Sequence, residues 1–132
     1  MPAYEWPEQI SMEADIYNAA AWRHEHHWQA DQVTISVAGA GGQQNVGGGV
    51  PAGQLRTIRE ITVRHAGTNN TVITILIAGF IRLSFDVSAS SSVTWSSENG
   101  VMFGAGEQPI VESSDVTGGN SYVSARGEQA SV

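Results

Sequence analysis

The chain has 132 residues with no cysteine and no lysine, and its six arginines face 13 acidic residues for a net charge of −7. Without cysteine, disulfide frameworks, thiolate zinc sites and cysteine nucleophiles are excluded, and so acidic a balance lacks the basic footprint that nucleic-acid binding needs. Hydrophobic residues make up 41% and charged residues only 14%, with 15 glycines, which suits one β-rich domain and not a disordered chain.

The amino terminus, Met-Pro-Ala-Tyr-Glu-Trp, has neither the basic nor the apolar region of a signal peptide, so none is expected. No apolar run approaches the roughly 18 residues of a membrane span, and no membrane partner is expected. Residues 1–32 read as an aromatic, acidic arm that holds Tyr4, Trp6, Tyr17, Trp22 and Trp28. From Ser11 to about residue 29 the arm reads as part helical. Ser11 suits a cap, Glu13 and Asp15 suit the positive end of the dipole, and residues 18–22 are alanine-rich.

Between Trp22 and Trp28 stand His24, His26 and His27. On a helix His24 and His27 share a face, on a strand His24 and His26 do, and either spacing can chelate a metal. The cluster reads instead as part of an interface, because five arm aromatics are hard to bury within a monomer and are a solubility liability when exposed. No metal and no cofactor are expected.

Residues 33–37 read as a short strand, followed by a glycine-dense stretch over residues 38–53 that has no periodicity and reads as a mobile linker or hinge. From Leu55 the pattern changes to short apolar or alternating runs separated by turn residues. Ile61, Val63 and His65 alternate with Glu60, Thr62 and Arg64, which puts the apolar set on one face of a strand. Arg56, Arg59 and Arg64 lie close in sequence, and the partner-binding set takes in Arg56 and Arg59 as donors to acidic groups of another protein. After a turn at residues 67–70, residues 72–77 read as a buried strand. Ala78 and Gly79 then turn the chain into residues 80–87, with Ile81, Leu83, Phe85 and Val87 facing one way. Further strands are expected at residues 92–96, 101–104, 110–114 and 121–126. The sum is an all-β, antiparallel sandwich or jelly roll of about seven to eight short strands over residues 55–132, joined by a strand and loop at 33–54 to the arm.

Catalytic signatures are missing from this pattern. No serine lies in a Gly-x-Ser-x-Gly elbow, and the glycines at 39–49 lack the Gly-Lys-Ser/Thr ending of a phosphate loop. Asp86 and Glu112 read as solvated outward carboxylates and Trp95 as a core residue. The expectation is a protein that is not an enzyme.

The runs at residues 61–75, 80–87 and 119–128 together resemble small virion proteins of tailed bacteriophages. The shared pattern is an I-x-V strand, a turn, a V-x-I strand, a hairpin into an F-x-L strand and a closing strand near the carboxyl end. The resemblance spans about residues 55–129 and departs at Ser88-Ala89-Ser90-Ser91-Ser92, where relatives often carry an Ala-Gly-x-Ser turn. It implies a capsid decoration, or cement, protein of the virion: a homotrimer that binds the major capsid protein or another virion protein. The arm, which has no counterpart in the resemblance, would then grip neighbouring subunits through Tyr4, Trp6, Tyr17, Trp22, His24, His26, His27 and Trp28. A neck or tail component and a carbohydrate-binding sandwich module are the alternatives.

Overall fold

The computed structural model describes residues 22, 23, 25–35 and 42–132. Its strands are β1 (His27–Ile35), β2 (Gln43–Asn45), β3 (Gln54–His65), β4 (Thr71–Ile77), β5 (Phe80–Val87), β6 (Ser91–Phe103), β7 (Ile110–Ser113) and β8 (Ser121–Ser131). They form two four-stranded antiparallel sheets in the orders β1-β8-β3-β6 and β2-β7-β4-β5. The fold is an all-β sandwich, as the turn spacing predicts. Among the described residues no helix is long and apolar enough to cross a membrane.

Alternation along the sequence becomes sidedness in the sheet. In β3, Ile61, Val63 and His65 are buried while Thr62 and Arg64 are exposed. Ile73 and Ile75 of β4, Val111 of β7, Val123 of β8 and Phe103 of β6 meet them from the facing sheet and neighbouring strands in one core. The first sheet is organised by β3 and β8, which pair from Gln54↔Ser131 to His65↔Ser121.

Two expectations about the amino-terminal third are corrected here. β1 begins at His27, not at residue 33, so Trp28 belongs to the first sheet. Of the helix expected over residues 11–29, the part from His27 onward is strand. Just ahead of it is a single turn, closed by the His26 N–H donating to the Trp22 carbonyl at 3.0 Å; residues 11–21 lie outside the described residues. Pairing with β8 from His27↔Glu128 to Ile35↔Ser121 buries Ala30 and Ile35, and such tertiary pairing overrides the weak helix preference of the segment. The described part of the glycine-dense stretch, residues 42–53, is likewise anchored and is not a mobile linker. β2 pairs with β7 there, and Val46 and Val50 are core residues.

Bulges decide which side chains face out. The turn-like Ser97-Glu98-Asn99-Gly100 does not end a strand but bulges out of a continuous β6, opposite a register break between Ile58 and Glu60 of β3. This break reverses the parity of β3: Arg56 and Ile58 are buried before it, Ile61, Val63 and His65 after it. In β5 the pairs Ile75↔Leu83 and Leu76↔Ile81 leave Arg82 as the extra residue of a second bulge. Leu83, Phe85 and Val87 therefore keep the inward side, but Ile81, expected to join them, is 67% exposed.

One end of the sandwich is closed by a buried hydrogen-bonded chain. Nε2 of His65 lies 2.8 Å from the Asn69 carbonyl oxygen, and Nδ1 lies 2.7 Å from Ser121 Oγ. Ser121 Oγ meets Ser113 Oγ at 3.2 Å, Ser113 Oγ meets Thr71 Oγ1 at 2.7 Å, and the Asp115 N–H donates to Thr71 Oγ1 at 3.0 Å.

Candidate functional site

Four of the expected partner-binding residues, Tyr4, Trp6, Tyr17 and His24, lie outside the described residues. The others divide into outward and inward groups. Trp22 is 43% exposed and stacks on His26, with ring centroids 4.6 Å apart, while His26 Nδ1 lies 2.7 Å from the Trp22 carbonyl oxygen. His27 is exposed at the start of β1, with Nε2 3.4 Å from Gln29 Oε1.

Trp28 and Arg56 are turned inward onto each other, which removes them from an outward-facing partner surface. The Arg56 guanidinium lies over the Trp28 ring, 4.3 Å from its centroid. Arg56 donates to Gln129 Oε1 at 2.9 Å and to the Gly48 carbonyl at 2.6 Å. Burial pushes its pKa down from the usual guanidinium value, as expected for a charge taken out of water. Gly47 completes this cluster: a Cβ there would sit 2.8 Å from Trp28 Cζ2, and its φ is +69°. Arg56 thus ties β3 to the glycine-rich stretch, and sequence proximity to Arg59 carried no information about its direction.

Arg59 lies in the β3 bulge with its Nε 2.6 and 2.7 Å from the two carboxylate oxygens of the buried Glu128. Arg23 Nε approaches the same carboxylate at 3.7 Å. Arg59 Nη1 is buried and has no hydrogen-bond partner among the described residues. These groups border a depression of about 490 Å³ on the outer side of the first sheet, which Arg126 and Glu60, paired at 2.7 Å, share with a smaller one of about 220 Å³ beside the β1 bulge. Arginines and glutamates alternate across it, so neither charge sign dominates.

Large apolar side chains are also left open, against the inward direction expected for Ile81. Phe80 is 75% exposed and Ile81 67% exposed at the β4–β5 hairpin, and Met102 is exposed on β6. Arg82 links the two strands, donating to the Met102 carbonyl at 3.3 Å and to Glu107 Oε2 at 3.0 Å. Asp86 and Glu112 do not form a carboxylate pair. They lie on strands either side of β4, and Glu112 accepts a hydrogen bond from Gln43 at 2.6 Å. Trp95 is partly buried against the core.

No family model matches the chain, and no curated protein matches it in sequence. Several solved structures resemble it. The CBM36-1 domain of a multidomain xylanase from the hindgut metagenome of Trinervitermes trinervoides matches with a TM-score of 0.46 and 13% identity, over 80% of this chain and 98% of that one. The Drosophila NLP core, described for pentamer formation and histone binding, gives 0.44 and 13% over 80% and 98%. Infectious bursal disease virus, Gt strain, gives 0.34 and 12% over 78% of this chain and 32% of that one. At these values the similarities assign no activity or partner to the chain.

Proposed function

We propose that this chain is a non-catalytic virion component that binds other protein chains, a capsid decoration protein of the kind its strand pattern resembles. The observation that supports this reading is the exposure of Phe80 and Ile81 at the β4–β5 hairpin, next to the Arg82–Glu107 ion pair. Apolar side chains left open and edged by charge are what a protein–protein contact requires. Aromatic anchors at such contacts typically contribute about 2 kcal/mol or more. The test is co-sedimentation of the protein with empty capsids of the phage that encodes it. The intact chain is expected to pellet with the shells, and Phe80→Ser/Ile81→Ser to stay in the supernatant with an unchanged melting temperature. Full binding by that variant, or no binding by the intact chain, would overturn the reading.

One observation favours a second reading, a carbohydrate-binding module. The depressions on the first sheet are lined by carboxylates, guanidinium groups, amides and hydroxyls, including Glu60, Arg126, Gln32 and Ser124, a donor and acceptor mixture that suits a polyhydroxylated ligand. Retardation of the protein in gels cast with soluble polysaccharide, abolished by Arg126→Ala, is the outcome this reading expects.

A further inference from the structure

In β6, Ser96 pairs with Glu60 and Val101 with Ile58, so Ser97 to Gly100 stand together opposite Arg59 alone. A segment bulged in this way is released from the regular ladder, and Glu98 and Asn99 are exposed on it. Gly100 is fixed by the fold. Its φ is +67°, and a Cβ there would sit 2.6 Å from Thr57 Cγ2 and 2.7 Å from the Ile58 carbonyl oxygen, so any other residue is strained. The residue that precedes this obligatory glycine is an asparagine, among the most heat-labile side chains.

From this arrangement we infer that Asn99 and Gly100 form a site of spontaneous covalent modification, at which the asparagine amide becomes a carboxylate. The Gly100 nitrogen attacks Asn99 Cγ and forms an N–Cγ bond. The Cγ–Nδ2 bond breaks, and the proton lost from Gly100 leaves with the amide nitrogen as ammonia. Water then opens the five-membered imide at either carbonyl, giving aspartate or, with the chain rerouted through the side chain, isoaspartate. Glycine leaves the attacking nitrogen unhindered, and the Gly100 N–H is bonded inside the bulge, to Ser97 Oγ at 3.2 Å. The other described asparagines are held more firmly. The Val46 N–H that follows Asn45 donates to the Pro109 carbonyl at 2.9 Å. Asn69 Nδ2 donates to Thr117 Oγ1 at 3.2 Å, and Asn70 Oδ1 accepts from the Ala89 N–H at 3.0 Å. Ser121, after Asn120, is fully buried in β8. Modification takes the net charge one unit below −7 and sets a new carboxylate next to Glu98, which lines the outer depression with Arg23, Arg59 and Arg126. This chemistry is independent of the proposed function.

The test is peptide mass mapping of the full chain during storage in mildly alkaline buffer, both folded and in guanidinium chloride. A gain of one mass unit at residue 99, split between aspartate and isoaspartate, is expected before any change at the other described asparagines. The folded chain is expected to react within about tenfold of the denatured rate, because the bulge needs little opening to reach the reactive geometry. Asn99→Gln, whose longer side chain closes the imide ring far more slowly, is expected to keep its isoelectric position over the same period. A folded rate more than about tenfold below the denatured one would show that the strand protects the pair and overturns the inference. So does earlier reaction at Asn45, Asn69, Asn70 or Asn120, or an Asn99→Gln variant that acidifies as fast as the parent.

Discussion

His65 and Ser121 face each other across β3 and β8 with Nδ1 2.7 Å from Oγ, at 1% and 0% exposure. A carbonyl oxygen only accepts, so Nε2, bonded to Asn69, carries a proton, and in the neutral ring Nδ1 then accepts from the serine hydroxyl. The Ser113 hydroxyl, with one proton, is placed to give it to Ser121 Oγ at 3.2 Å or to the Asp115 carbonyl at 3.3 Å. His65→Leu leaves the Ser121 hydroxyl without its acceptor, and the variant is expected to lose about 1–3 kcal/mol in urea denaturation. Ser121→Ala should cost a similar amount, and the double variant less than the two combined, since both act on one bond.

Asp115 sets the acid behaviour of the same end. Its carboxylate is held below the usual carboxylate range chiefly by the side-chain hydrogen bond from Thr117, with the Thr117 N–H donating to Oδ1 at 2.8 Å as well. A depressed folded-state pKa contributes stability that is fully present above the unfolded value, about 3.9, and is lost as pH falls through the folded value. Asp115→Asn is therefore expected to be less stable than the parent at neutral pH, with the gap closing below about pH 4. A gap that stays constant down to the acid limit would show that the charge is not what matters.

What the sequence made legible is what period and turn chemistry encode. The face of β3 after Glu60 follows from alternation of Ile61, Val63 and His65, and the hairpin at Ala78-Gly79 from its turn residues. A bulge leaves no mark in composition, so the outward turn of Ile81 was hidden by the extra residue Arg82. The inward turn of Arg56 was hidden in the same way by the break at Arg59. Arg56 and Arg64 both hold even positions in β3 yet have opposite fates, one buried and one exposed, because parity reverses between them. The strand identity of His27 to Ala30 was invisible for a different reason. It is imposed by β8, almost a hundred residues away along the chain, and not by local preference.

The β4–β5 hairpin carries a local cost that can be removed. Ala78 and Gly79 both adopt positive φ, 49° and 86°, the pattern of a two-residue type I′ turn, in which asparagine followed by glycine is preferred. An L-residue with an ordinary side chain in this region costs about 1–2 kcal/mol, and asparagine tolerates it better. Ala78→Asn is expected to raise stability by about 0.5–1 kcal/mol and the melting temperature by a few degrees. An unchanged or lowered melting temperature would mean that the turn is strained for another reason.

The place of β1 decides how much of the amino-terminal segment the fold needs. By composition alone residues 1–32 read as an arm outside the core, which implies that the sandwich survives their removal. The pairing of β1 with β8, the burial of Ala30 and Ile35, and the Trp28 ring beneath Arg56 all argue otherwise. Removing everything before residue 36 uncovers the edge of β8 and deletes the fully buried Ile35, whose loss alone is a cavity cost of about 2–5 kcal/mol. It also leaves the buried guanidinium of Arg56 without its aromatic cover. Against a typical total stability of about 5–15 kcal/mol, these losses are expected to abolish cooperative folding. A chain that starts at Trp22 keeps every described strand and is expected to melt cooperatively with a full β signature by circular dichroism. The comparison of the two truncations locates the boundary. If the chain starting at residue 36 melted at the same temperature as the one starting at Trp22, β1 would be an accessory of the sandwich and not one of its structural strands.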